Sequence, residues 1–233
     1  MSKNNLEKKI IQSLALKSNI KQLVCDNNEV VFSLMKKTLT EISDDFNKQL
    51  NNLKERVRLE FTDHGEFIAK LRVAGDMLVF SMHSNIFEFD REHKVWETDY
   101  VKTDPLNSYC GIISIYNFLD DSFRYNRMDD LGYLIGRIFV NKNNHFFVEG
   151  KRQMGFHFKN FGKRLLDKSA MRSILAKAMA YALEFDLLVP PYDAVKIASV
   201  GQMTEKMYIS QIKTGKRLGF QFNSDDVMEE NGD

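Results

Sequence analysis

The sequence predicts an α+β protein with N-terminal helices, a mainly antiparallel sheet, a long C-terminal helix and a closing β-hairpin. Apolar residues recur at helical spacing between residues 31 and 57, and again between residues 171 and 185. Between these segments, short apolar runs are separated by polar breaks too short for a crossover helix, so neighbouring strands should pair antiparallel. We divide the chain into a helical segment (1–56), an α+β domain (57–222) and a disordered acidic tail (223–233).

Two helices are predicted in the first segment. Leu6, Ile10 and Leu14 recur every four residues, and the polar run 25–28 is expected to end this helix and cap the next. The second helix carries apolar residues in a 3-4 repeat: Val31, Met35, Leu39, Ile42, Phe46, Leu50, Leu53 and Val57. Two interpretations remain open, a helix packed on the chain's own sheet or a coiled-coil seam in 28–57 through which the protein self-associates.

The middle of the chain reads as a series of strands. Candidates are 57–62, 67–73, 77–82, 85–89, 95–101 and 109–118. The last is nearly continuously apolar and is expected to lie in the centre of the sheet. The charged break 120–130 fits either a loop or one irregular helical turn.

Residues 132–150 predict a β-hairpin that forms the middle of the core. Two apolar runs flank Asn141-Lys142-Asn143-Asn144, which is the densest turn signal in the chain. With the turn centred on Asn143, Glu149 should lie opposite Arg137. That register favours a cross-strand ion pair.

The C-terminal part predicts a helix from Asp167 or Ser169 to about Leu188, stopped by Pro190 and Pro191. A short strand (195–200) and a hairpin (207–222) are expected to follow.

Composition excludes several classes of protein. The formal net charge is +1, the only cysteines are Cys25 and Cys110, and no apolar run is long enough to span a membrane. The first twenty residues lack the apolar core of a signal peptide. The sequence shows no phosphate loop, dinucleotide fingerprint or HExxH pattern, so no cofactor is predicted. We therefore expect a soluble cytoplasmic protein without a membrane partner.

One tripeptide suggests chemistry. Glu149-Gly150-Lys151 ends a hydrophobic strand, and Asp129 and Asp130 precede the strand before it. This resembles the acidic-x-Lys signature of restriction-endonuclease-like nucleases. The resemblance implies that Asp130 and Glu149 bind a divalent metal and that Lys151 positions the attacking water.

Charged residues are unevenly distributed along the chain, although the formal net charge is only +1. Residues 151–217 contain 13 Lys or Arg against 5 Asp or Glu, whereas residues 85–130 contain 10 acidic against 5 basic residues. The basic candidates for binding are Lys151, Arg152, Lys159, Lys163, Arg164, Lys168 and Arg172. They surround Phe156, Phe158 and Phe161, and residues 155–161 slightly resemble the aromatic strand motif of RNA-recognition domains. Strand alternation predicts instead that these phenylalanines face the core.

The function predicted from sequence is a non-catalytic binding or regulatory module that forms oligomers. Its basic C-terminal surface would take an anionic ligand, nucleic acid or an acidic protein partner. Two alternatives remain, a divalent-metal-dependent nuclease and a structural subunit of a larger assembly.

Overall fold

Helices and one antiparallel sheet make up the fold, which confirms the α+β class. This computed structural model describes residues 3–50, 57–151, 154–155, 161–185, 189, 191–201 and 203–204. The helices are α1 (Lys3–Ser13), α2 (Asn19–Gln49), α3 (Asp99–Thr103), α4 (Asp120–Arg124), α5 (Lys168–Leu183) and α6 (Tyr192–Val195). The strands are β1 (Glu60–Asp63), β2 (Ile68–Val73), β3 (Asp76–Met82), β4 (Phe87–Glu88), β5 (Tyr109–Leu119), β6 (Tyr133–Asn141) and β7 (Phe146–Gly150). The predicted closing hairpin and acidic tail lie outside the described residues.

The sheet is a meander in the order β1-β2-β3-β5-β6-β7, and β4 pairs with the first residues of β5. The apolar strand β5 is central, as predicted, because it pairs with both β3 and β6. The predicted register of the β6–β7 hairpin is also confirmed, since Arg137 lies opposite Glu149. In the turn, Asn144 adopts the left-handed backbone (φ 58°) that asparagine tolerates.

Helices α2 and α5 cover one face of the sheet and form the main core with it. Fully buried members include Phe32 and Leu39 of α2, Phe80 of β3 and Ile138 of β6. The 3-4 stripe of α2 therefore packs on the chain's own sheet from Val31 to Ile42, whereas residues 51–56 lie outside the described chain.

A second, smaller core lies on the opposite face. Side chains alternate along a strand, so Phe139 of β6 and Phe147 of β7 point away from their neighbours in the main core. They pack with Cys110, Val95, Val101 and Phe161. The segment between β4 and β5, which contains Val95 and Val101, thus packs on this second face of the sheet.

The predicted break at residues 25–28 is wrong, because α2 runs through it. Tertiary contacts hold Asn27 and Asn28 in the helix. The Asn27 amide donates to the carbonyl oxygens of Asn141 (3.1 Å) and Lys142 (2.8 Å), and Asn28 is buried against Gly111. The irregularity lies earlier, in a π-helical turn (Leu14–Ser18) between α1 and α2.

The predicted strand 95–101 is also wrong, since this segment forms a 3-10 turn (Lys94–Glu97) followed by α3. Local capping explains the difference. A ring nitrogen of His93 accepts a hydrogen bond from the backbone of Val95, and the Thr98 hydroxyl accepts one from Val101. Val95 and Val101, the β-branched residues at the two ends of the predicted strand, are both buried in the second core.

The C-terminal elements differ in detail from the prediction. Helix α5 begins after Asp167, whose carboxylate accepts a hydrogen bond from the backbone N–H of Ala170 (2.7 Å), and it ends at Leu183. The short strand predicted at 195–200 is absent from the described residues, where α6 occupies Tyr192–Val195. Ile197 and Val200 are more than 80% exposed, so β-forming side chains there have no sheet to join.

Candidate anion-binding pocket

A pocket of about 330 Å³ lies between the strand β7 and the first turns of α5. Its apolar wall comprises Phe146, Phe147, Val148, Met154, Ala170 and Ile174. Its polar lining comprises Arg164, Ser169, Ser173 and Lys177. Two cations and two hydroxyls thus converge on a mainly apolar space, which is the usual composition of a small-molecule site.

The helix α5 positions most of the polar lining. Ser169, Ser173 and Lys177 are spaced four residues apart, so they lie one above the other on a single helix face. Asp167 fixes where this helix begins and therefore which residues face the pocket. Arg164 comes from the segment before the helix, next to the bridge between Leu165 and His145 at the hairpin turn.

The charges of Arg164 and Lys177 are not neutralised by the described chain. Neither side chain makes an ion pair or a hydrogen bond with any described residue. Their neighbours differ, because Lys168 binds Glu41 (2.7 Å) and Arg172 binds Asp45 (2.8 Å), both on α2. The structure therefore separates cations that tie α5 to α2 from cations that line the pocket.

The predicted basic residues are accordingly divided. Of the seven, Arg164 lines the pocket, whereas Lys168 and Arg172 are paired with α2. Lys163 is exposed and lines a separate depression beside Tyr100. Lys151 is half-buried just after β7, and Arg152 and Lys159 lie outside the described residues.

The aromatic residues of the predicted nucleic-acid surface fall into two groups. Phe161 is 2% exposed and makes edge contacts with the rings of Tyr100 and Phe147, so it belongs to the second core. Phe156 and Phe158 lie outside the described residues. Phe161 therefore offers no surface on which a base could stack.

The structure does not bring the residues of the predicted nuclease site together. The Asp130 carboxylate accepts a hydrogen bond from Ser122 (2.6 Å) and lies 3.8 Å from Arg127. Glu149 instead accepts a hydrogen bond from Nε of Arg137 (2.7 Å) on the neighbouring strand. The strand positions from Tyr133 to Arg137 already span about 13 Å, and Asp130 precedes them.

Among the described residues, no three His, Cys, Asp or Glu side chains are grouped so that they could hold a metal ion. None of the described helices has the length and apolar character needed to cross a membrane.

Hydrogen bonds among polar side chains, which the sequence patterns did not indicate, hold the turn between β6 and β7. The Tyr100 hydroxyl accepts hydrogen bonds from the side-chain amides of Asn141 (3.0 Å) and Asn143 (2.9 Å). With both lone pairs used, it donates its proton to Nδ1 of His145 (2.8 Å). Burial lowers the pKa of His145, which favours the neutral ring that this arrangement needs.

Comparisons with known proteins add no functional information to the fold and the pocket. No protein-family model, no curated protein and no solved structure matches this chain.

Proposed function

We propose that the protein is a non-catalytic binding module that holds a small anionic ligand with an apolar part in the α5–β7 pocket. The anionic group would contact Arg164 and Lys177, with the hydroxyls of Ser169 and Ser173 as further hydrogen-bond donors. The apolar part would lie against Phe146 and the other side chains of the apolar wall.

The observation that carries this proposal is the pair of unneutralised cations beside an apolar wall. A positive charge next to apolar surface loses part of its hydration, and an anion restores the lost interaction. Lys177 is half-buried, so this cost is larger for it than for a fully exposed lysine. Lys168 and Arg172 already have carboxylate partners, whereas the pocket cations Arg164 and Lys177 have none among the described residues.

The size of the pocket favours a small molecule over a polymer. Its volume of about 330 Å³ falls at the lower end of the range for ligand sites. Nucleic acid needs a long basic track and stacking surfaces, whereas the described basic residues are partly paired and Phe161 is buried.

Phenyl phosphate is a suitable probe because it joins a compact anion to an apolar ring, and benzyl alcohol is its neutral counterpart. We expect titration calorimetry to detect phenyl phosphate binding, with affinity that falls as salt is added, and much weaker binding of benzyl alcohol. Arg164→Gln and Lys177→Gln should each weaken phenyl phosphate binding about tenfold, which is the loss of one charge-assisted contact.

Lys163→Gln is the matched control, because it removes one positive charge close to Arg164 but outside the pocket lining. Its phenyl phosphate affinity should stay within about twofold of the unchanged protein. Equal weakening by Lys163→Gln would show that only the general basic charge matters. That result, or benzyl alcohol binding as tightly as phenyl phosphate, would overturn the proposal.

A further inference from the structure

The first helical stretch of the chain forms an arm that packs on nothing else in the described structure. We define the arm as residues 3–18, which comprise α1 and the π-helical turn. Every described side chain from residue 5 to residue 19 is exposed. Five of them are large and aliphatic, with exposed fractions of 50–65%: Leu6, Ile10, Ile11, Leu14 and Leu16. Such a density of exposed aliphatic side chains marks an interaction surface.

The arm is amphipathic and basic. Leu6, Ile10 and Leu14 are four residues apart and share one helix face. Residues 3–18 contain four lysines and one glutamate, which gives the arm a local charge of +3. A partner should therefore combine an apolar surface with negative charge.

The chain itself carries a surface of that kind after β5. Four large apolar side chains there are at least 40% exposed: Phe123, Met128, Leu131 and Leu134. Residues 120–134 also contain four aspartates against two arginines, a local charge of −2. The Asp130 side chain is only 8% exposed beside Arg127, so the carboxylates open to a partner are those of Asp120, Asp121 and Asp129. We call residues 120–134 the acidic patch.

The arm and the acidic patch lie at opposite ends of the central strand. The arm leads into Ile20 and Val24, which pack against Tyr109 at the start of β5. The acidic patch follows Leu119 at the end of β5, about 35 Å away for a strand of this length. Helix α2 contacts the hairpin turn through Asn27 and then runs toward Leu59. The arm precedes α2, so it extends past the hairpin turn, away from the acidic patch of the same copy.

We infer that the arm of one copy docks on the acidic patch of a second copy, so that the protein associates head to tail. The two surfaces differ, so the contact is heterologous and each copy keeps one arm and one patch for further copies. Two arms carry the same +3 charge and would repel each other.

Sedimentation equilibrium on the full chain tests this inference and does not depend on the pocket. The average mass of the unchanged protein should rise with concentration and fall with added salt. Ile10→Glu in the arm and Leu131→Lys in the patch should each weaken association about tenfold or more, as expected for a buried anchor residue. Both positions are exposed, so circular dichroism should show unchanged helix content.

Gln12→Glu is the matched control, because it adds the same charge to the arm on the side away from Ile10. It should weaken association less than Ile10→Glu does. A mixture of the Ile10→Glu and Leu131→Lys proteins supplies the decisive measurement. Each copy retains one intact surface, so the mixture should form 1:1 dimers at concentrations at which each variant alone is monomeric.

Three results would overturn the inference. One is a monomeric mass at every concentration. Another is association that survives Leu131→Lys, which would indicate arm–arm contact. The third is a mixture that stays monomeric. Binding of the arm to phosphatidylserine vesicles without self-association would assign it to lipid instead.

Discussion

At the scale of single residues, the hairpin turn depends on one uncharged imidazole. The Tyr100 hydroxyl already accepts two amide hydrogen bonds, so its proton must go to Nδ1 of His145. Protonation of His145 would place a donor where an acceptor is required. The turn that aligns β6 with β7 therefore contains a histidine whose pKa burial lowers, so its ring is kept neutral in the folded protein.

The lowered pKa of His145 predicts how stability depends on pH. Because the unfolded chain binds a proton more readily at this site, the free energy of unfolding should fall as pH drops from about 7.5 to about 5.5, through the unperturbed value of about 6.5. His145→Asn keeps an acceptor near the position of Nδ1 for Tyr100 and removes the titration, so its loss of stability over this range should be smaller. Urea unfolding at both pH values measures the difference. An unchanged loss in the variant would place the pH dependence elsewhere.

At the scale of elements, the approach of α2 to β5 depends on Gly111. A Cβ at this position would lie 2.7 Å from Nδ2 of Asn28, which is itself buried. Asn28 belongs to the polar run that suggested a helix break. Close packing on a glycine-containing strand, together with the Asn27 bonds to the hairpin turn, keeps this polar run helical.

Gly111→Ala should therefore destabilise the protein by about 1–3 kcal/mol, since the helix and strand must move apart to admit the methyl group. Adding Asn28→Ala makes room for that methyl group, so the double variant should lose less than the sum of the two single variants. Gly201→Ala is the control, because its nearest contact is 3.7 Å away in an exposed segment. Denaturant unfolding of the unchanged protein, the two single variants and the double variant tests the coupling. Strict additivity of the changes in unfolding free energy would show that Asn28 and Gly111 do not interact.

At the scale of the whole molecule, one core joins α2, the sheet and α5, whereas the arm stands outside it. Leu39 is fully buried in that core, and Leu6 is 59% exposed. Both belong to helical apolar repeats that look alike in sequence. Their contributions to the free energy of unfolding should nevertheless differ.

Leu39→Ala should cost about 2–5 kcal/mol, the usual range for a cavity in a packed core. Leu6→Ala removes the same atoms from an exposed position and should change stability by no more than about 0.5 kcal/mol. Chemical unfolding at low protein concentration keeps the arm free of partners in both measurements. Equal losses would mean that the arm packs on the rest of the fold.

Local patterns predicted the elements whose signals are contained within a few residues. These are the β6–β7 hairpin, its Arg137–Glu149 register and the central strand β5. The start of α5 was predicted at Asp167 or Ser169, and the structure places it after Asp167. The predictions failed where a tertiary contact or a local cap overrode propensity. Asn27 and Asn28 stay helical because of partners more than 80 residues away, and His93 and Thr98 turn a β-branched segment into short helices.

The candidate site was only partly predictable for the same reason. Of its cations, the sequence indicated Arg164 within a basic segment, and it did not single out Lys177. The four-residue spacing of Ser169, Ser173 and Lys177 is visible in the sequence, but nothing local shows that this helix face borders β7.

The sequence by itself determined the α+β class, the meander and the hairpin register, because periodicity and turn chemistry act between neighbouring residues. Only the tertiary structure decided which of the cations in and just before α5 have a carboxylate partner. Lys168 with Glu41, and Arg172 with Asp45, are pairs separated by 127 positions in the chain. Packing of α5 against α2 neutralises these two cations and leaves Arg164 and Lys177 at the pocket, which no pattern of neighbouring residues specifies.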